Sequence, residues 1–161
     1  MRGRASPSML RATSKENPTV TEILRSRPAA IILTGGIIAL TLATANIHRG
    51  LGGLLFTLNA AGYVTLAIAY LIGAWATHPF IRRFSWLPRV ALFGFTAMTF
   101  VAYFVIGPYF TLGYVAKAIE AGILVLIGLD VVRVYGGPAG LVRAAMASVP
   151  MIASGDRSPA D

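Results

Sequence analysis

Four apolar runs separated by short connections leave this chain few folds to choose from. A helix rises about 1.5 Å per residue, so about 17–25 residues cross a hydrocarbon core of about 30 Å. Runs of this kind lie at 28–47, 51–77, 90–106 and 111–132. In hydrocarbon every backbone polar group must find its partner within the protein, so runs of this length are helical. The expectation is an all-α fold, a four-transmembrane-helix bundle over 28–135. Residues 1–27 are polar and read as a disordered cytoplasmic tail, with a possible short turn near Val20–Leu24. Residues 136–161 form a second cytoplasmic tail, in which 139–152 is mildly amphipathic and suits either a helix on the membrane surface or a loose tail. Gly35-Gly36 in the first run, and Ala69 with Gly73 in the second, offer places for close helix approach.

Composition supports the same class. The chain is 56% hydrophobic and 12% charged, against about 25% charged for an ordinary soluble domain. Too few charges remain to cover a water-facing surface. The net charge of +8 does not point to nucleic acid, because the basic residues flank apolar runs and suit anionic lipid headgroups. With no cysteine, disulfides, thiolate metal sites and cysteine nucleophiles are excluded. Arginine outnumbers lysine, and alanine and glycine are abundant, which favours a bacterial source.

Charge counting orients the bundle. Arg2, Arg4, Arg11, Lys15, Arg25 and Arg27 precede the first run; Arg82, Arg83 and Arg89 lie between the second and third; Arg133, Arg143 and Arg157 follow the fourth. These are 12 of the 14 basic residues. Only Arg49 falls on the opposite side, and Lys117 lies within the fourth run. The positive-inside rule therefore places both termini in the cytoplasm of a bacterial inner membrane. Ala43-Thr44-Ala45 resembles a signal-peptidase site. Cleavage and an uncleaved anchor both stay open, the anchor being simpler because the apolar run continues to Ile47.

Lys117 and Glu120 are the only charges in the interior of any long apolar run, Asp130 lying at the inner edge of the fourth. At the standard rise they lie ~9 and ~13 Å below the outer boundary. The same count puts Asn59 and Tyr63 at ~12 and ~18 Å, Tyr103 and Thr99 at ~5 and ~11 Å, and Thr41 at ~9 Å. These residues are expected to form one intramembrane polar cluster in the outer half of the bilayer, with the inner half almost purely apolar. A charge at the bilayer centre costs about 2.5–3.5 kcal/mol on insertion scales. Residues three apart share a helix face, so Lys117 and Glu120 can neutralise each other. Three roles fit such a pair: fixing helix register, contacting another subunit, or serving a proton relay or outward-opening polar pocket. Asp130 and Arg133 read as an interfacial pair without special function.

No catalytic, cofactor or metal motif is present: there is no Walker lysine, dinucleotide fingerprint or His-Glu-x-x-His. His48 and His78 sit at opposite ends of the second run, so they cannot share one haem. By depth Glu120 is distant from both, which disfavours a carboxylate–histidine pair.

The run from Gly113 to Glu120, GYVAKAIE, preceded by the aromatic third run, resembles small uncharacterised four-span membrane proteins of bacteria. These share a Gly-Tyr-x-x-Lys-Ala-Ile-Glu start to the last helix. The resemblance spans roughly 51–133, implies no activity, and marks Lys117 and Glu120 as a shared feature. The leading expectation is a non-enzymatic structural or accessory subunit, associating with itself or a larger membrane assembly. The alternative is a small transporter, channel or ligand-binding protein using the polar cluster.

Overall fold

The computed structural model describes residues 19–107 and 109–148, and these are helical throughout apart from short connections. The helices are α1 (Val20–Arg25), α2 (Arg27–Leu51), α3 (Leu54–Trp75), α4 (Pro79–Arg83), α5 (Trp86–Ile106), α6 (Thr111–Tyr135) and α7 (Pro138–Ser148). Among the described residues there is no strand. Three of the helices, α2, α3 and α5, are long and apolar enough to cross a membrane. α6 matches α2 at 25 residues, but it carries Lys117, Glu120, Asp130 and Arg133.

Local chemistry sets the boundaries. The turn anticipated near residue 20 is α1, started by a capping box: the Thr19 backbone N–H donates to Glu22 (2.7 Å) and the Thr19 hydroxyl accepts from the Glu22 backbone N–H (3.3 Å). Those bonds hold the Glu22 carboxyl below the usual carboxylate range. Ser26 caps α2, and Pro28 occupies its first turn, where a missing N–H costs nothing.

Two expected connections are helical instead. His48-Arg49-Gly50 belongs to the last turn of α2, and the reversal into α3 is made by Gly52 and Gly53 at φ 72° and 82°. Arg89, expected in a loop, lies in the first turn of α5. Pro88 precedes it without breaking the helix, because first-turn N–H groups have no intrahelical acceptor. The fourth long helix ends at a Gly-then-Pro stop. Gly136 is left-handed at φ 75°, its N–H reaches the Val132 carbonyl (2.9 Å), and Pro138 opens α7.

The four long helices close into a ring in which α2 lies between α3 and α6, and α5 completes the circuit between α6 and α3. α2 and α6 fit reciprocally: Leu126 seats on Gly36, and Leu40 seats on Gly122. On α3, Gly62 receives the Phe95 ring and Gly73 receives the Pro88 ring. A Cβ at Gly73 would stand 2.8 Å from Pro88 Cγ, so the small residues that marked close approach do admit a neighbour there. Gly35 has no neighbour of that kind. Ile37, Tyr63, Tyr70, Leu92, Ile123 and Ile127 fill the interior. Large apolar side chains such as Ile32, Ile68, Leu71, Val101, Val105 and Val125 face outward, as a lipid-covered surface requires.

Candidate functional site

Two buried polar clusters occupy opposite ends of the ring. The distal one lies toward the α2–α3 and α5–α6 turns. The proximal one lies toward the start of α2 and the end of α6.

Glu120 is the centre of the distal cluster and is fully buried. Lys117 Nζ approaches Glu120 Oε2 at 2.5 Å and also donates to the Thr99 carbonyl at 3.0 Å. Thr99 Oγ1 lies 3.4 Å from Oε2 and 2.7 Å from the Tyr63 hydroxyl. Thr99 has one hydrogen and two acceptors for it, Glu120 and the Thr96 carbonyl at 3.0 Å, so Tyr63 is the donor in the Tyr63–Thr99 bond. On the other carboxylate oxygen, Thr44 Oγ1 stands at 3.5 Å and His48 Nε2 at 3.8 Å.

The tautomer of His48 follows from its partner. Nδ1 is 2.8 Å from the Thr44 backbone carbonyl, and a carbonyl only accepts, so Nδ1 carries the hydrogen. That leaves Nε2 facing Glu120, beyond direct hydrogen-bond distance. The imidazole is held against the rings of Tyr63 (5.7 Å) and Phe56 (6.2 Å).

The expected cluster is therefore present in part. Lys117, Glu120, Tyr63 and Thr99 come together. Tyr103 joins through its ring, which lies 5.4 Å from Lys117 Nζ. Its hydroxyl is spent on the Phe110 backbone, and the ring fits because Gly113 has no side chain there. Asn59 lines the adjoining cavity and makes no hydrogen bond to the cluster. Thr41 does not take part: its hydroxyl donates to the Ile37 carbonyl one turn back at 2.7 Å. Thr44 and His48 supply what α2 contributes, and depth counting missed both.

The separation expected between Glu120 and the histidines is overturned for His48. The count ended the first helix at Ile47, whereas α2 continues to Leu51. His48 therefore sits about a turn inside the helix end, and two long side chains close the remaining gap. A signal was available in the spacing of Thr41, Thr44 and His48, which lie three and four apart and continue the buried face of Leu33 and Ile37.

Above the cluster lies a partly open cavity of about 440 Å³ between the distal ends of the four long helices. Leu55, Leu58, Met98, Ala102 and Ile106 form apolar walls, and His48, Asn59, Thr99 and Lys117 provide polar atoms. Glu120 is not part of the lining. A molecule in the cavity meets the ammonium and the imidazole, while the carboxylate stays behind them.

The proximal cluster departs from the expectation of an almost purely apolar inner half. Asp130, expected at an interface, is fully buried. It accepts from the Tyr70 hydroxyl (2.7 Å), Arg89 Nε (2.7 Å), and Arg133 Nε and Nη2 (2.9 and 2.6 Å). Arg89 Nη1 reaches the Ser85 carbonyl at 2.6 Å, and the guanidinium lies 5.4 and 5.7 Å from the rings of Tyr70 and Tyr135. One carboxylate thus ties α3, α5 and α6 with good geometry, an arrangement suited to fixing a bundle. Of the two alternatives for 139–152, the described part is helical, as α7, and 149–152 lie outside the described residues. Trp86 Nε1 donates to Ser148 Oγ (3.0 Å) and Arg83 Nη2 to the Ala147 carbonyl (2.5 Å), which straps α7 to the start of α5.

No protein-family model, curated protein or solved structure matches this chain.

Proposed function

We propose that this chain is a four-span membrane protein, with α6 as the fourth crossing, that binds a small amphipathic molecule in its distal cavity. The cavity carries this reading. Its volume of about 440 Å³ falls within the range of about 300–1,000 Å³ usual for small-ligand sites. Apolar walls suit a hydrocarbon body. The ammonium of Lys117 offers a donor at the polar end, so the head of the ligand is a hydrogen-bond acceptor. Membrane crossing by α6 is supported by where its charges go: all four are paired inside the ring, while Leu112, Val115, Val125 and Leu129 face outward. The basic residues near the proximal end favour a cytoplasmic position for it, against anionic headgroups of a bacterial cytoplasmic membrane.

An accessory or self-associating role competes with this reading. It draws on the outward apolar faces, but lipid accounts for those equally well, so the cavity tips the balance toward ligand binding. The test is calorimetric titration of the purified protein in lipid nanodiscs with two ten- to eleven-carbon probes, neutral 2-undecanone and anionic decanesulfonate. Saturable binding near one per chain is expected, and Ala102→Trp, which fills the cavity from α5, is expected to weaken it at least tenfold. Partition indistinguishable from empty nanodiscs, or full binding by Ala102→Trp, contradicts the reading.

A further inference from the structure

Resting on that reading, we infer that the cavity takes up an anionic head together with one proton, and that the proton is carried by His48 Nε2. The distal cluster is already charge-balanced. Lys117 is the charged residue facing the cavity, and Glu120 cancels it at 2.5 Å. An anion added beside this balanced pair, in a cavity with mostly apolar walls, would leave one charge without a partner, which is costly. A proton added with it restores the balance.

The geometry selects where the proton goes. His48 Nδ1 already holds a hydrogen for the Thr44 carbonyl at 2.8 Å, so Nε2 is the open position of the ring. Nε2 stands 3.8 Å from Glu120 Oε1, and His48 lines the cavity. Its protonated form therefore has a carboxylate on one side and room for an anion on the other. Glu120 is a poorer resting place. A hydrogen there would weaken the bonds that its carboxylate accepts, above all from Lys117.

The surrounding groups leave few other candidates. α6 presents Lys117 and Glu120. α3 presents Asn59 and Tyr63, whose hydroxyl is engaged by Thr99 at 2.7 Å. α5 presents Thr99 and Tyr103, the latter bonded to the Phe110 backbone. On α2 itself, Arg49 is exposed and bonded to Asn46.

The proposal gives the binding reaction a pH dependence of known sign. One proton taken up per anion weakens apparent affinity about tenfold for each pH unit above the titration of the acceptor. A neutral ligand shows no such slope. Decanesulfonate suits the test because it does not titrate, so any proton belongs to the protein.

Titrations in nanodiscs, between about pH 5 and 8 where histidines commonly titrate, are run in two buffers of different ionisation enthalpy. Uptake approaching one proton per decanesulfonate is expected at the upper end of this range, with none for 2-undecanone. His48→Gln is expected to abolish the uptake and flatten the pH slope for decanesulfonate. Should that variant misfold, ¹⁵N-histidine spectra of the parent protein answer the same question: Nε2 is expected to move to its protonated position with sulfonate and not with ketone. Sulfonate binding without uptake, uptake surviving His48→Gln, or an unmoved Nε2 overturns the proton assignment while leaving the binding reading in place. If neither probe binds, the binding reading fails and this inference fails with it.

Discussion

Replacing Asp130 with alanine is expected to destabilise the protein by about 3–5 kcal/mol, the range for removing one partner from a buried ion pair. Asp130 is fully buried and is bonded by Tyr70, Arg89 and Arg133. Without it, Arg89 is left buried and uncompensated, and the Tyr70 hydroxyl loses its acceptor. Arg133, whose side chain keeps 15% of its exposure, can swing outward; Arg89, at 3%, cannot. The double replacement Arg89→Met with Asp130→Leu removes both the charge and its orphaned partner, and should recover at least half of the loss. Thermal or denaturant unfolding in mild detergent measures both. A loss under 1 kcal/mol for Asp130→Ala would show that the proximal cluster contributes little to the bundle.

The second large effect is expected at Glu120. Glu120→Ala removes the acceptor for Lys117 and the group faced by His48, Thr44 and Thr99. Its cost is again about 3–5 kcal/mol, toward the lower end because Lys117 borders a cavity that water can enter. The pair Lys117→Met with Glu120→Gln takes both charges away and keeps hydrogen-bonding capacity for Thr44 and Thr99. It is expected to be more stable than Glu120→Ala, with a coupling between the two positions of about 0.5–3 kcal/mol. The same double variant should still fold but lose decanesulfonate binding. Folding and binding are thus separable here, which a purely structural role for the pair would not allow.

Much of this architecture was legible in the sequence because bilayer physics is coarse. Length and apolar character located three helices that are long and apolar enough to cross a membrane, and the depth count brought Lys117, Glu120, Tyr63 and Thr99 to one place. What it missed at the helix ends shares one cause. Helix ends were assigned where polarity rises, yet α2 continues through His48 and α5 begins before Arg89, because polar side chains at helix ends can turn inward to a partner. The polarity of His48 and Arg89 was read as contact with water, when Arg89 is paired with Asp130 on α6 and His48 bonds the Thr44 carbonyl on its own helix while facing Glu120. Thr41 erred in the other direction. It lies farther from the end of α2 than was counted, because that helix runs on to Leu51, and its hydroxyl bonds the carbonyl one turn back on its own helix. The cavity had no sequence signal. It is lined by residues from all four long helices, among them the small Ala102, Gly113 and Ala116, a property of packing in three dimensions.

The central claim is that the distal cavity is a ligand site with Lys117 and His48 at its polar end. Photo-labelling tests it most directly. A ten-carbon alkyl sulfonate bearing a diazirine near its tail is bound to the protein in nanodiscs, illuminated, and its attachment sites are mapped by peptide mass spectrometry. The account predicts label concentrated on Leu55, Leu58, Met98 and Ile106, reduced by excess unlabelled decanesulfonate and absent from Ala102→Trp. Label spread evenly over outward-facing residues such as Ile32, Ile68 and Val125, and unaffected by competitor, would contradict it.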